Sequence, residues 1–330
     1  MANSAPSIER IFSITNELQF NQLAIEIFHF QYSHNKVYRQ FCDLVHIDPI
    51  AITYYDQIPF LPVEFFKTHI ITTGEKPSAI VFSSSGTTGD QTSRHHIVDL
   101  RLYNESFKRG FELFYKSPQE LCILALLPSY LERSGSSLVY MAEKLIAESG
   151  HPDSGFYLHN TAELLQKLRE LSASGQKTIL LGVTYALLDL VEQQSFHFPR
   201  LIVMETGGMK GKRREMIREE VHELLKKGFG VASIHSEYGM TELLSQAYSS
   251  GEGLFRCPPW MKILIRDTND PFSLVLHGKS GGINVIDLAN LNSCSFIQVQ
   301  DLGKLHEDGS FEVLGRFDNS QVRGCNLMIN

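Results

Sequence analysis

The chain has 330 residues, 43% of them hydrophobic and 20% charged, with a formal net charge of −7. That length and apolar content suffice for a substantial buried core, and the negative balance argues against nucleic acid as the main partner. No apolar run reaches the roughly 18–20 residues needed to cross a bilayer, and the opening MANSAPSIERIF has neither a basic n-region nor an apolar h-region, so a cytoplasmic location is expected.

Residues 1–78 read as a helical N-terminal region. SIERIFSITNELQFNQLAIEIFHFQY carries apolar residues at helical spacing, and IPFLPVEFF, with two prolines in an aromatic run, reads as an extended segment on the core surface. From residue 79 short apolar strands alternate with amphipathic helices: AIVF then about 98–116, CILALLP then 136–148, KTILLGV then 184–194, LIVMET then 212–227, and finally VASIHSEYG. Alternation of this kind predicts βαβ units and a largely parallel sheet across 79–254. In 255–330 the helices stop, and MKILIRD, FSLVLHG, INVIDL, FIQVQDLG and FEVLGR predict an antiparallel β-rich subdomain ending in a C-terminal tail. With no linker between these regions, 1–330 is read as one domain.

The loop SSSGTTGDQTSRHH at 83–96 is placed after a strand and before a helix, where α/β proteins bind phosphate. Gly86 and Gly89 give backbone freedom, successive N–H groups can form an anion nest, and Ser84, Ser85, Thr87 and Thr88 add hydroxyls. Composition alone leaves a phosphate loop and a solvated polar loop equally open. Neither GxxxxGK[ST] nor GxGxxG occurs. Further along, SEYGMTE offers an aromatic (Tyr238) for stacking on a base, a hydroxyl (Thr241) and a carboxylate (Glu242) able to hold Mg²⁺ beside a phosphate. QVQDLGKL ends a strand on Asp301, a carboxylate suited to ribose hydroxyls, and GRFDNSQVRG contributes Arg316 and Arg323.

SSSGTTG, YGMTE, DLG and GRFDNSQVRG stand in the order and spacing of the adenylate-forming superfamily, which includes acyl-CoA synthetases, peptide-synthetase adenylation domains and firefly luciferase. Together with IPFLPVEFFK and the terminal RGCNLMI, the chain most resembles the acyl-protein synthetases (LuxE) of the bacterial luminescence fatty-acid reductase complex. The resemblance implies an α/β fold: the large N-terminal domain of an adenylate-forming enzyme, with βα layers and a β-rich subdomain, lacking the usual small C-terminal domain. It implies that Ser84, Ser85, Gly86, Thr87, Thr88 and Gly89 wrap the ATP phosphates and that Gly207 and Gly208 line adenine and ribose. Tyr238 would stack on adenine, Thr241 would meet the α-phosphate, Glu242 would hold Mg²⁺, Asp301 would bind the ribose, and Arg316 would lie near ribose or phosphate. Many superfamily members carry a lysine shortly after the glycine-rich loop, where this chain has Arg94, and the domain bearing a catalytic lysine is expected to be absent. Mg²⁺, the loop, and Arg94, Lys210, Arg316 or Arg323 would have to suffice.

The five cysteines, with wide spacing and no CxxC, do not suggest disulfides or zinc. Cys122 and Cys294 lie in apolar runs and are expected to be buried. Cys325, beside Arg323 and Gly324, sits where a cation favours thiolate, and in the resembling family a cysteine there accepts the acyl group. The expected activity is therefore activation of a fatty acid to acyl-AMP and transfer to Cys325 as a thioester, for handover to a partner acyl reductase. A CoA ligase of the phenylacetate type, or a nucleotide-binding scaffold subunit, is the alternative. His95 and His96 are expected to face solvent. His235 reads either as a pocket border or as a hydrogen-bonded core residue, and KGKRREMIREE as a solvated helix face. GKSGG at 278–282 formally matches GxSxG, but a strand-like stretch follows it, so it is read as a hairpin turn.

Overall fold

The computed structural model describes residues 5–84, 92–128, 135–158, 160–207 and 216–317. Three helices open it: α1 (Ile8–Phe12), α2 (Glu17–His34) and α3 (Lys36–Leu44). The side chain of Asn16 accepts from Gln19 N to start α2, and that of Asn35 accepts from Tyr38 N to start α3, each satisfying a donor the helix leaves free. Helix α2 buries Phe20, Leu23, Ala24, Ile27, Phe28 and Gln31 along one stripe. Gln31 ends that stripe: its amide nitrogen donates to Asn290 O, Leu291 O and Ser295 Oγ at 3.0–3.1 Å, tying the helix to the far end of the chain.

IPFLPVEFF is extended only in part. Leu61–Pro62 form strand β1, parallel to a strand of the C-terminal sheet, and Phe65–Thr68 form a single helical turn, α4. Phe60, Leu61, Val63 and Phe66 are buried, so the segment belongs to the core and not to its surface. Its aromatic and aliphatic side chains are too large to leave in water without loss.

AIVF also departs from expectation. Strand β2 (Ile80–Ser83) does not enter a parallel sheet. It pairs antiparallel with β3 (Arg94–Ile97), in register from Ile80↔Ile97 to Ser83↔Arg94. The glycine-serine-threonine loop therefore joins two antiparallel strands, and helix α5 (Leu100–Tyr115), capped by Asp99, begins only after β3. The alternation of buried Ser93, His95 and Ile97 with more exposed Arg94 and His96 is the period-2 pattern of a half-buried strand.

The parallel sheet follows. Its strands are β4 (Cys122–Leu126), β5 (Gly155–Phe156), β6 (Thr178–Val183), β7 (Ile202–Thr206), β8 (His235–Tyr238) and β9 (Ala247–Ser249), in the order β5-β4-β6-β7-β8-β9. Only the β8–β9 edge is antiparallel. Every residue of β4 and β6 is buried, as expected for central strands covered on both faces. Helices α6 (Ser137–Ser149), α8 (Thr184–Gln193) and α9 (Arg218–Phe229) match expected helices, and α7 (Thr161–Ser174) is an additional one.

The C-terminal region is antiparallel: β10 (Leu254–Phe255), β11 (Met261–Arg266), β12 (Ser280–Asp287), β13 (Phe296–Leu305) and β14 (Phe311–Arg316), ordered β10-β14-β13-β12-β11, with β1 beside β13. FSLVLHG is not a strand. It makes only a bridge between Leu274 and Arg266, and Phe272 and Leu276 have no sheet face to bury against and are exposed. GKSGG is likewise only partly a turn, because Ser280–Gly282 open β12. A Cβ on Gly281 would lie 2.2 Å from Arg266 O, so glycine is what lets the two strands close. One continuous buried core collects residues from all three regions, from Ile11 to Phe311.

Candidate active site

The carboxyl end of β8 meets the β13–β14 ribbon, and Tyr238, Thr241, Glu242, Asp301 and Arg316 lie there or in the turn that follows β8. Tyr238 closes β8. Its hydroxyl donates to Asp301 Oδ2 at 2.8 Å, and its ring packs edge-on against Phe255 and Phe311. Asp301 and Arg316 are register partners across β13 and β14, with Arg316 Nε 3.4 Å from Asp301 Oδ1. Burial pushes the Asp301 carboxyl up, opposed by Arg316 and Tyr238. The side chain of Arg316 is otherwise exposed, with 70% of its surface free.

The Thr241–Glu242 turn follows β8. Glu242 is buried; burial raises its carboxyl, while the Ser93 side chain hydrogen-bonds to it and the charges of Arg316 and Lys67 act in the opposite sense. Gly207 follows β7 in the left-handed region (φ 69°), where glycine is favoured. Thr184 Oγ1 donates to both Gly207 O, at 3.2 Å, and Glu205 Oε2, at 2.9 Å.

Ser84 lies at the start of the glycine-rich loop. Its N–H donates to Ser93 O at 3.1 Å, and its Oγ accepts from Ser93 N at 2.9 Å. These two bonds close the base of the loop. Ser85, Gly86, Thr87, Thr88 and Gly89 lie outside the described residues, as do Gly208, Lys210, Arg323 and Cys325. Arg94 is exposed on β3, on the face opposite Ser93 and His95.

Two expectations are corrected here. His95 does not face solvent: it is fully buried, with Nδ1 2.8 Å from Thr241 O and Nε2 3.1 Å from Asn290 Oδ1. The described residues of KGKRREMIREE, 216–220, do not all form a solvated face either. Arg218 turns inward, 3.5 Å from Glu205 and 4.9 Å from the centre of the Phe255 ring, because Glu205 is a buried carboxylate needing a counter-charge. Burial alone would raise Glu205, but His222, Arg218 and Ser236 outweigh it and hold the group below the ordinary range. His235 is half-buried, with Nδ1 3.2 Å from the Tyr115 hydroxyl.

Sequence reasoning did not find Ser93, Asn290, Thr184, Glu205 or Glu237. Glu237 is 8% exposed and accepts from Thr206 Oγ1 at 2.5 Å; burial, aided by the charge of Glu205, pushes it up to about 7. The only signal for Ser93 was its place two residues before His95 in an alternating strand. Cys122 and Cys294 are buried as expected. Burial pushes the thiols of Cys42 and Cys257 up to about 12, that of Cys122 to about 11, and that of Cys294 higher still, so none of these four is a thiolate at neutral pH. Among the described residues no helix is long and apolar enough to cross a membrane, and no group of three or more His, Cys, Asp or Glu could hold a metal ion.

The same architecture is found in solved ligases. ATP-bound MatB from Rhodopseudomonas palustris superposes with a TM-score of 0.54 at 18% identity, over 72% of this chain and 47% of that one. The 2-hydroxyisobutyryl-CoA ligase superposes in its open conformation with 2-HIB-AMP and CoA (TM-score 0.64, 13% identity, 92% of this chain and 70% of that one). Its post-adenylation state with R3-HIB-AMP gives a TM-score of 0.68 at 12% identity, over 96% and 72%. At such identities the likeness is one of fold, and the chain spans about half the length of MatB. Residues 11–330 match the model of the acyl-protein synthetase family, LuxE. The chain belongs to that family. No curated protein matches it.

Proposed function

We propose that the chain activates a fatty acid with ATP to acyl-AMP and passes the acyl group to Cys325 as a thioester, for delivery to a partner acyl reductase. The observation that carries this is the convergence of Tyr238, Asp301, Arg316, Thr241 and Glu242 beside the closed base of the glycine-rich loop. The loop would cage the triphosphate with backbone N–H groups and the hydroxyls of Ser85, Thr87 and Thr88. Tyr238, already committed to Asp301 through its hydroxyl, would offer its ring to adenine, while Asp301 would take the ribose hydroxyls. Gly207 and Gly208 would line the same nucleoside.

Glu242 fits a hard cation: it is an oxygen donor held in a buried position, with a carboxyl that burial makes costly to ionise unpaired. Mg²⁺ bound there would offset phosphate charge. The acid's carboxylate oxygen attacks the α-phosphorus, the bond to the pyrophosphate oxygen breaks, and Thr241 and Arg316 would stabilise the charge that develops. The Cys325 thiolate then attacks the acyl carbonyl carbon of the mixed anhydride, and AMP leaves with the electron pair. The raised thiols of the four described cysteines favour Cys325 as acceptor. The continuous core also supports 1–330 as one unit, with helical (1–78), α/β (79–254) and β-rich (255–330) parts.

The test uses labelled tetradecanoic acid and ATP. Hydroxylamine-sensitive label is expected on the wild-type protein, and Cys325→Ser is expected to lose it while still making acyl-AMP. Equal labelling of the variant overturns the acceptor assignment, and a requirement for CoA with no label on the protein favours a CoA ligase.

A further inference from the structure

We propose that His95 and Asn290 form a bracket that positions the Thr241–Glu242 turn relative to Ser84 and Ser93 at the base of the glycine-rich loop. The bracket's purpose rests on the activity proposed above, but its existence rests on geometry alone. Thr241 O carries no proton, so His95 Nδ1 is the donor across the 2.8 Å contact. The Phe66 ring stands perpendicular to the imidazole at 5.5 Å and fixes its plane. Burial dominates the ring's titration and pushes it down to about 4 despite the two oxygens facing it. The imidazole is therefore neutral at pH 7, with its single proton on Nδ1. A ring that donates through Nδ1 alone makes no hydrogen bond with Asn290 Oδ1, which carries no proton either, so the histidine's grip on the turn runs through Nδ1.

Asn290, 1% exposed, follows β12 and donates its amide N–H to Glu242 O at 2.8 Å. Its own carbonyl is held by Gln31 Nε2 at 3.1 Å. Two successive carbonyls, those of Thr241 and Glu242, are thus each gripped by a buried side chain from a different strand system. Ser93 lies on the same face of β3 as His95, and its side chain reaches the Glu242 carboxyl. Because Ser93 also bonds to Ser84, one short segment ties Ser84, where the loop begins, to the turn. Small displacements of reacting groups cost large factors in rate, roughly 100-fold for 1 Å, so such a bracket has a chemical purpose that burial alone does not explain.

The test compares full-length wild type, His95→Leu, His95→Asn and Asn290→Ala. The asparagine amide can take the place of Nδ1–H as donor. Two measurements are made on each folded protein: deuterium uptake by residues 238–246, and the Mg²⁺ concentration for half-maximal acid-dependent ATP–pyrophosphate exchange. His95→Leu and Asn290→Ala are expected to speed uptake in 238–246 about tenfold and to raise the Mg²⁺ half-saturation about tenfold, with less change in KM for the acid. His95→Asn is expected to bring both back towards wild type. Unchanged uptake in both His95→Leu and Asn290→Ala overturns the bracket. Faster uptake with wild-type Mg²⁺ half-saturation and kcat overturns its positioning role. Should wild type show no acid-dependent exchange, the proposed activity fails, and deuterium uptake alone decides whether the bracket exists. Should His95→Leu not fold, Asn290→Ala carries both readouts.

Discussion

Glu237 stands one residue before Tyr238 and ionises late: burial, with the charge of Glu205, pushes it up to about 7 against an ordinary 4.5. A carboxyl whose folded pKa exceeds its unfolded one binds more proton in the native state between those values. Stability from this group is therefore full below about pH 4.5 and is lost as pH rises towards 7, by about 3 kcal/mol at most. Glu237→Gln should remove this term, so the variant should gain melting temperature over wild type progressively between pH 5 and 8. A difference that stays flat across that range contradicts the assignment. Neither this residue nor His95 was legible in the sequence as part of the site. Thr241, Glu242 and Tyr238 were read as candidates because they sit in one short motif at the end of a strand and the turn after it; Asp301 was read as ending a strand, whereas β13 runs on past it to Leu305. Glu237 and His95 act through neighbours distant in sequence: His95 and Thr241 are 146 residues apart. No local pattern announces such a contact.

At the scale of elements, hydrophobic periodicity identified β4, β6, β7 and β8 and the helices that follow three of them, since central parallel strands are near-continuous apolar runs. It misplaced AIVF and FSLVLHG for opposite reasons. AIVF pairs with RHHI, a strand hidden by two histidines, one of which is buried with a hydrogen bond to Thr241 O. FSLVLHG has the composition of a strand but meets a partner only at Leu274. The glycines of GKSGG, read as a turn, serve close strand approach. Gly281→Ala would push a methyl group to 2.2 Å from Arg266 O, which is backbone and cannot swing aside. That substitution should cost about 1–3 kcal/mol by chemical denaturation. Gly278→Ala has nothing within 4 Å of the new methyl, although its backbone (φ 80°) strains any side chain. If Gly281→Ala proved as stable as wild type, the close β11–β12 register would be wrong.

On the scale of the whole molecule, the parallel sheet supplies the ends of β7 and β8, the β13–β14 ribbon supplies Asp301 and Arg316, and the β2–β3 pair supplies the loop. The N-terminal helices, through Gln31 and its bonds to Asn290, Leu291 and Ser295, hold the C-terminal sheet against the rest. Individual strands and helices were legible from the sequence, because each has its own period. How they meet was not, because the contacts are polar, buried and long-range. The central claim is that a carboxylic acid is activated by ATP where these parts converge. Its most direct test is acid-dependent exchange of labelled pyrophosphate into ATP, with a panel of carboxylic acids, for wild type and Glu242→Gln. The account predicts exchange only when a suitable acid is present, and a loss of about 100-fold in the variant. No acid-dependent exchange by folded wild type, or equal exchange by Glu242→Gln, would contradict it.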